Sequence, residues 1–134
     1  MAETFELEVA TPEKLLVREH VTEAQIPAAN GYVGILPGHS PLLAELGTGD
    51  LTYVSEGRRR HLAVGGGWIE VVGDRVRVVA DIGEKADEID LKRAEEALSR
   101  ARDRLTHPPA GLDVARALNS LKRAQARIDA ATHK

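Results

Sequence analysis

Gly31-Tyr32-Val33-Gly34-Ile35-Leu36-Pro37-Gly38-His39-Ser40-Pro41-Leu42-Leu43 is the stretch on which the reading of the fold turns. Glycines and prolines stand among large aliphatic side chains, a mixture that makes the backbone turn repeatedly while its apolar groups stay packed. Val33, Ile35, Leu36, Leu42 and Leu43 are therefore expected to be buried, and Tyr32 and His39 to face outward from a shaped, rigid loop. A linker would be polar; a loop that spends aliphatics on packing belongs to a β-rich core.

The flanks support that reading. Phe5, Leu7 and Val9 alternate with Glu6 and Glu8, placing three apolar groups on one face of a half-buried strand that Thr11-Pro12-Glu13 stops. A second extended region runs from Lys14 to Pro27. Downstream, Gly47-Thr48-Gly49-Asp50 turns into the strand Leu51–Val54, Glu56-Gly57 makes a hairpin to Arg59–Val64, and Gly73-Asp74 joins Trp68–Val72 to Arg75–Ala80. Eight to ten short strands at this density predict an antiparallel β-sandwich or flattened barrel over residues 1–85.

At Ile82-Gly83 the period changes. After Asp90, an N-cap residue, Leu91, Ala94, Leu98, Ala101 and Leu105 recur at helical spacing; Thr106-His107-Pro108-Pro109-Ala110-Gly111 breaks the helix. From Asp113 a second helix carries Val114, Ala117, Leu121, Ala124, Ile128 and Ala131 in the same pattern. Residues 86–134 are thus expected to form an antiparallel two-helix hairpin. Its alanine-rich seams bury little area, at ~0.8 kcal/mol per buried methylene, so a ligand or partner is expected to decide its state.

The chain has 134 residues, 43% hydrophobic and 3% aromatic, enough for one packed aliphatic core but poorly suited to stacking on bases. The net charge of -3 divides into an acidic front and a mildly basic tail, too weakly basic for general nucleic-acid binding. Cysteine is absent, which excludes disulfides and thiol chemistry. The N-terminal residues have neither the basic flank and apolar run of a signal peptide nor the composition of a transit peptide, and no run reaches the ~18 apolar residues of a spanning helix.

No catalytic constellation emerges. His39 has no metal-ligand spacing to another histidine and reads as a contact residue. Arg58-Arg59-Arg60 at a hairpin tip reads as a charged, soluble edge before it reads as a phosphate patch. Gly65-Gly66-Gly67 lacks the following helix N-terminus of a phosphate loop, because a strand follows it.

G-x-x-G-I-L-P-G-H-S-P-L-L at 31–43, G-G-G-W-I-E-V-V at 65–72, I-D-x-x-R-A at 89–94 and a second alanine-rich helix, in that order, resemble the epsilon subunits of bacterial F-type ATP synthases over essentially the whole chain. Tyr32 departs from a position often acidic there. The resemblance implies a non-catalytic rotor subunit with no required cofactor. Its sandwich would hold the gamma subunit and rest on the c-ring through Tyr32 and His39. Its hairpin would either fold beside the sandwich or extend to restrain ATP hydrolysis, meeting the alpha and beta catalytic subunits through Arg100, Arg102, Arg104, Arg116, Lys122 and Arg123. It also implies ATP as a regulatory ligand of the folded hairpin, through Ile89, Asp90, Arg93, Ala94, Arg100, Arg123 and Arg127, with Glu84 contributing. Solvated arginines with Asp90 as a simple N-cap are the competing reading. The implied location is the cytoplasmic side of a bacterial membrane, held there through the complex. A free-standing nucleotide-sensing module is the alternative function.

Overall fold

The computed structural model describes residues 3–133. The expected domain limits at residues 1 and 134, and the first two residues of the stretch read for a leader, lie outside these. Eight strands come first: β1 (Phe5–Ala10), β2 (Leu15–Val21), β3 (Glu23–Ala28), β4 (Gly31–Ile35), β5 (Leu42–Glu45), β6 (Gly49–Ser55), β7 (Arg58–Val72) and β8 (Arg75–Lys85). A short 3-10 turn, Ala86–Glu88, leads to helices α1 (Leu91–Thr106) and α2 (Val114–Thr132). This is the expected sandwich followed by a helical hairpin. The pairing is antiparallel except between β1 and β8, which run parallel.

The strands hydrogen-bond in the order β2-β1-β8-β7-β6-β3-β4, with β5 added on β7. One ladder makes two layers because β7 and β8 belong to both. Arg58–Ser55 through Val64–Gly49 tie the first half of β7 to β6, whereas Trp68 to Val71 pair with β5. β8 follows the same bend, with Val76–Val71 pairing on one side and Lys85–Leu62 on the other. The three glycines sit at the bend, and Gly66 and Gly67 have φ of 69° and 116°. A Cβ on Gly67 would collide with the Val79 carbonyl oxygen of the adjacent strand, so close backbone approach requires glycine here. Residues 59–64 and 68–72, read from sequence as separate strands, are one bent strand for this reason.

Between the layers lies an aliphatic core in which Leu7, Val9, Ile26, Leu51, Ile69 and Val78 are fully buried. Two expectations for the 31–43 stretch need correction. Leu36 is 61% exposed and Leu43 is 70% exposed. β5 pairs only with β7 and alternates along its length, so Leu43 points to the outside of the sandwich; Leu36 lies at the turn closed by the His39 N–H donating to the Leu36 carbonyl.

Both helices start as the sequence implies. The Asp90 carboxylate accepts from the Arg93 N–H and that of Asp113 from the Arg116 N–H, each at 3.1 Å. Ala94, Leu98 and Ala101 of α1 are buried where it packs on α2, whose Ala117 and Ala124 are buried as well. Val114, assigned to that seam, is exposed in the first turn of α2. α2 has a second buried face that the period did not disclose: Ala126 and Ala130 cluster with Ala63 of β7 and with Ile89, and Ala131, assigned to the helix–helix seam, joins them there. The hairpin therefore lies folded against the sandwich, through a small alanine-lined contact separate from the main core.

Candidate functional site

Because α2 touches the sheet through methyl groups toward its C-terminal end, a cavity of about 630 Å³ remains where the hairpin faces β7 and β8. Val64, Ile82, Gly83 and Glu84 line it from the sheet, Arg100 and Arg104 from α1, and Arg123 and Arg127 from α2. Its size is that of a small-molecule pocket. The four guanidinium groups face only two lining carboxylates, Glu84 and Glu88, so the cavity favours anions.

Partners limit these arginines differently. Arg127 Nε donates to Glu84 Oε1 at 2.9 Å, tying α2 to the end of β8. Arg123 Nη2 donates to Ser120 Oγ at 3.2 Å. Glu88 is engaged by Lys14 at 3.4 Å. Among the described residues, Arg100 and Arg104 form no ion pair. Forked donors held on two rigid helices and not already neutralised suit phosphate oxygens.

Of the eight residues expected to meet ATP, Glu84, Arg100, Arg123 and Arg127 line this cavity. Ile89, Asp90 and Ala94 build the joint instead: Ile89 packs beneath α2, Asp90 caps α1, and Ala94 is buried in α1. Arg93 is exposed and is not among the lining residues. Seven residues separate it from Arg100, about 10 Å along the axis at 1.5 Å per residue. The residue brought in with Arg100 is Arg104, one turn on, and the four-residue spacing that identified Arg123 with Arg127 identifies it too. Ser120 and Glu88 carried no such signal. Arg102, Arg116 and Lys122 are exposed, Arg102 beside a shallow groove with Leu98 and Ile128.

The loop residues are held differently from one another. Tyr32 is 57% exposed, yet its hydroxyl accepts from the Asp50 N–H at 3.0 Å; burial of that end is the main cause raising its pKa above the ordinary phenol value. His39 is half-buried, with Nδ1 2.6 Å from the Ser40 carbonyl oxygen, to which it donates. The most exposed groups nearby are aliphatic or aromatic. Leu43 (β5), Trp68 and Val72 (β7) and Val79 (β8) share the outer face of one layer, where Trp68 stands in register with Val79. Charges interrupt this row: Glu70 stands between Trp68 and Val72, opposite Leu43 on β5 and Arg77 on β8, and Arg77 Nε donates to Glu8 Oε2 at 2.9 Å. Four large apolar side chains exposed together on one sandwich face, with charges among them, mark an interaction surface.

Arg59 at the β6–β7 hairpin is satisfied by Glu23 at 2.6 Å and by Thr52, which fits an edge kept soluble by charge. No group of His, Asp or Glu side chains among the described residues has metal-binding geometry.

The model of the ATP synthase delta/epsilon chain β-sandwich domain matches residues 4–86, and that of the delta/epsilon long α-helix domain matches residues 87–132. The chain is 54% identical to the ATP synthase epsilon chain of Solibacter usitatus over 134 residues, all of both chains. It is 41% identical to that of Desulfitobacterium hafniense over 131 residues, 98% of each. A chain of the Euglena gracilis mitochondrial ATP synthase, solved with OSCP, F1 and c-ring, shares the fold with a TM-score of 0.83 at 23% identity, over 99% of this chain and 84% of that one. A chain from the central stalk and c-ring of the Tetrahymena thermophila enzyme superposes with a TM-score of 0.56. Both domains, their order and near full-length identity to bacterial epsilon chains agree, and the chain belongs to the ATP synthase delta/epsilon chain family.

Proposed function

We propose that the chain is the non-catalytic central-stalk subunit of its ATP synthase, with the sandwich as the rotor-binding part and the hairpin as a regulatory part that senses ATP and restrains hydrolysis. The observation that carries the rotor-binding assignment is the apolar row Leu43, Trp68, Val72 and Val79 on the outside of an otherwise well-packed sandwich. The gamma subunit covers that row, and the loop around Leu36, Tyr32 and His39 rests on the c-ring. The same partners would hold the chain at the cytoplasmic face of the membrane; among the described residues no helix is long and apolar enough to cross one. In an extended hairpin, Arg100, Arg102, Arg104, Arg116, Lys122 and Arg123 would meet acidic segments of the alpha and beta subunits. Each exposed pair is worth only ~0.2–1 kcal/mol, so the restraint needs several.

Gel filtration with the gamma subunit tests the assignment. The parent chain co-elutes with gamma; Trp68→Glu, which changes an exposed side chain and leaves the core intact, does not. Co-elution of Trp68→Glu with unchanged affinity would place the gamma contact elsewhere.

The cavity supports the regulatory part. Its anion-favouring arginines come from both helices, so a nucleotide bound there would tie α1 to α2 and to Glu84 of β8, and would favour the folded hairpin. Titrating the isolated chain with ATP should raise its melting temperature, and no shift at millimolar ATP would refute the sensing role.

A further inference from the structure

Alternation along β7 splits the Arg58-Arg59-Arg60 tract into two unlike parts. Arg58 and Arg60 share the face of Leu62, which is buried between the layers, so they carry that inner face past the end of the core. Lys85 ends β8 in register with Leu62. A groove of about 520 Å³ opens at this end of the sandwich, lined by these three cations, by Glu19 of β2 and by Asp87 of the 3-10 turn. Tyr53 of β6 forms its base: the side chain is buried, its hydroxyl donates to Glu19 Oε2 at 2.8 Å, and the charge of Arg60 acts on it. Arg59 borders the groove too, but Glu23 already holds its guanidinium at 2.6 Å. Among the described residues, Arg58, Arg60 and Lys85 form no ion pair.

We propose that this groove binds an acidic, extended peptide segment of another protein, separately from the cavity under the hairpin. The spacing of the cations selects that ligand. Arg58 and Arg60 stand about 7 Å apart along β7, and the level of Lys85 lies ~7 Å further on. Side chains on one face of an extended chain repeat at the same interval, so acidic residues at alternate positions meet the three cations in turn. Each guanidinium can take a carboxylate through its forked donors. A compact anion such as a single phosphate group leaves part of such a row unpaired. Glu19 and Asp87 set the other half of the pattern, because they repel acid at the intervening positions and accept hydrogen bonds from N–H groups of the segment. No lining residue comes from α1 or α2, so the groove is present whether the hairpin is docked or extended, whereas the arginine cavity requires docking.

Titrating the full chain with a short peptide that alternates glutamate and serine, followed by amide nuclear magnetic resonance, tests the site. The amides of Arg58 to Leu62 and of Lys85 to Asp87 should shift as one saturable set at millimolar peptide. Arg58→Gln combined with Arg60→Gln changes two exposed side chains, leaves the rest of the amide spectrum as in the parent, and should weaken the response about tenfold, from the range for exposed ion pairs. Arg100→Gln combined with Arg123→Gln, in the cavity under the hairpin, should leave it unchanged. Inorganic triphosphate is the competing probe and should move the same amides more weakly than the peptide. Three results would each overturn the proposal: no shift of these amides at millimolar peptide, unaltered affinity in the Arg58 and Arg60 double variant, or tighter binding of triphosphate, which would make the groove a phosphate site.

Discussion

Replacing Gly67 by alanine tests whether the bend in β7 builds the sandwich. Gly67 has φ of 116°, a conformation that side chains with a Cβ rarely adopt, and an added methyl would overlap the backbone oxygen of Val79, which cannot rotate away. Backbone strain of ~1–3 kcal/mol combines with overpacking of ~1–3 kcal/mol, for a cost of about 2–6 kcal/mol in a domain of which ~5–15 kcal/mol is typical. Gly65 is the internal control: it has no positive φ, and a Cβ there would meet the side-chain tips of Thr48 at 3.0 Å and Ile82 at 3.3 Å, both able to shift. Gly65→Ala should cost about 1 kcal/mol or less by the same reasoning. Urea unfolding of the isolated chain, followed by far-ultraviolet circular dichroism, measures both. Equal midpoints for the two variants would show that close approach at residue 67 does not hold the layers together.

Removing Arg100 and Arg123 together should weaken ATP binding by a factor of ten to a hundred for each lost contact, taking ~1.5–3 kcal/mol for a charged hydrogen bond; the reduction in ATP-induced thermal shift reads it. Ala130→Leu puts a larger side chain at a fully buried position under α2, costs docking about 1–3 kcal/mol, and should speed amide exchange in α2 while β1 to β8 stay protected. Tyr53 donates to Glu19 at 2.8 Å; burial first, and that hydrogen bond and charge second, raise its pKa above the ordinary 10.0. A folded value above the unfolded one means that its stabilisation is complete below pH 10.0 and disappears only as pH climbs through the raised value. Ultraviolet difference titration should show its ionisation delayed, and Tyr53→Phe should abolish that delayed step.

Much of the fold was legible because its signals are local. Alternation in Phe5–Val9, the Asp90 and Asp113 caps and the break at residues 106–111 each depend on a few neighbouring residues. What sequence reading missed depends on contacts between distant segments. The strand through Gly65–Gly67 continues because its partner strand bends with it, a fact no window around three glycines contains. Leu36 and Leu43 read as buried because aliphatic character does not say which side chains of a turn or of an edge strand point away from the core. The second face of α2 escaped notice because Ala126 and Ala130 carry too little side chain to stand out in a helical pattern, yet methyl groups are what a close helix–sheet contact admits. Among the arginines, spacing along one helix identified pairs but not which end of α1 faces the cavity, so Arg104 took the place assigned to Arg93.

A bent strand shared by two layers also determines how the sandwich carries mechanical load. A pull arriving at the Trp68 side of β7 runs along covalent main chain past Gly67 into the half of the strand hydrogen-bonded to β6, and β8 offers a second such route. Sliding one layer over the other must therefore stretch peptide backbone, where two sheets joined only through their buried side chains would resist with dispersion contacts alone. Such a body twists as a unit, and bending is left to the joint around Asp90.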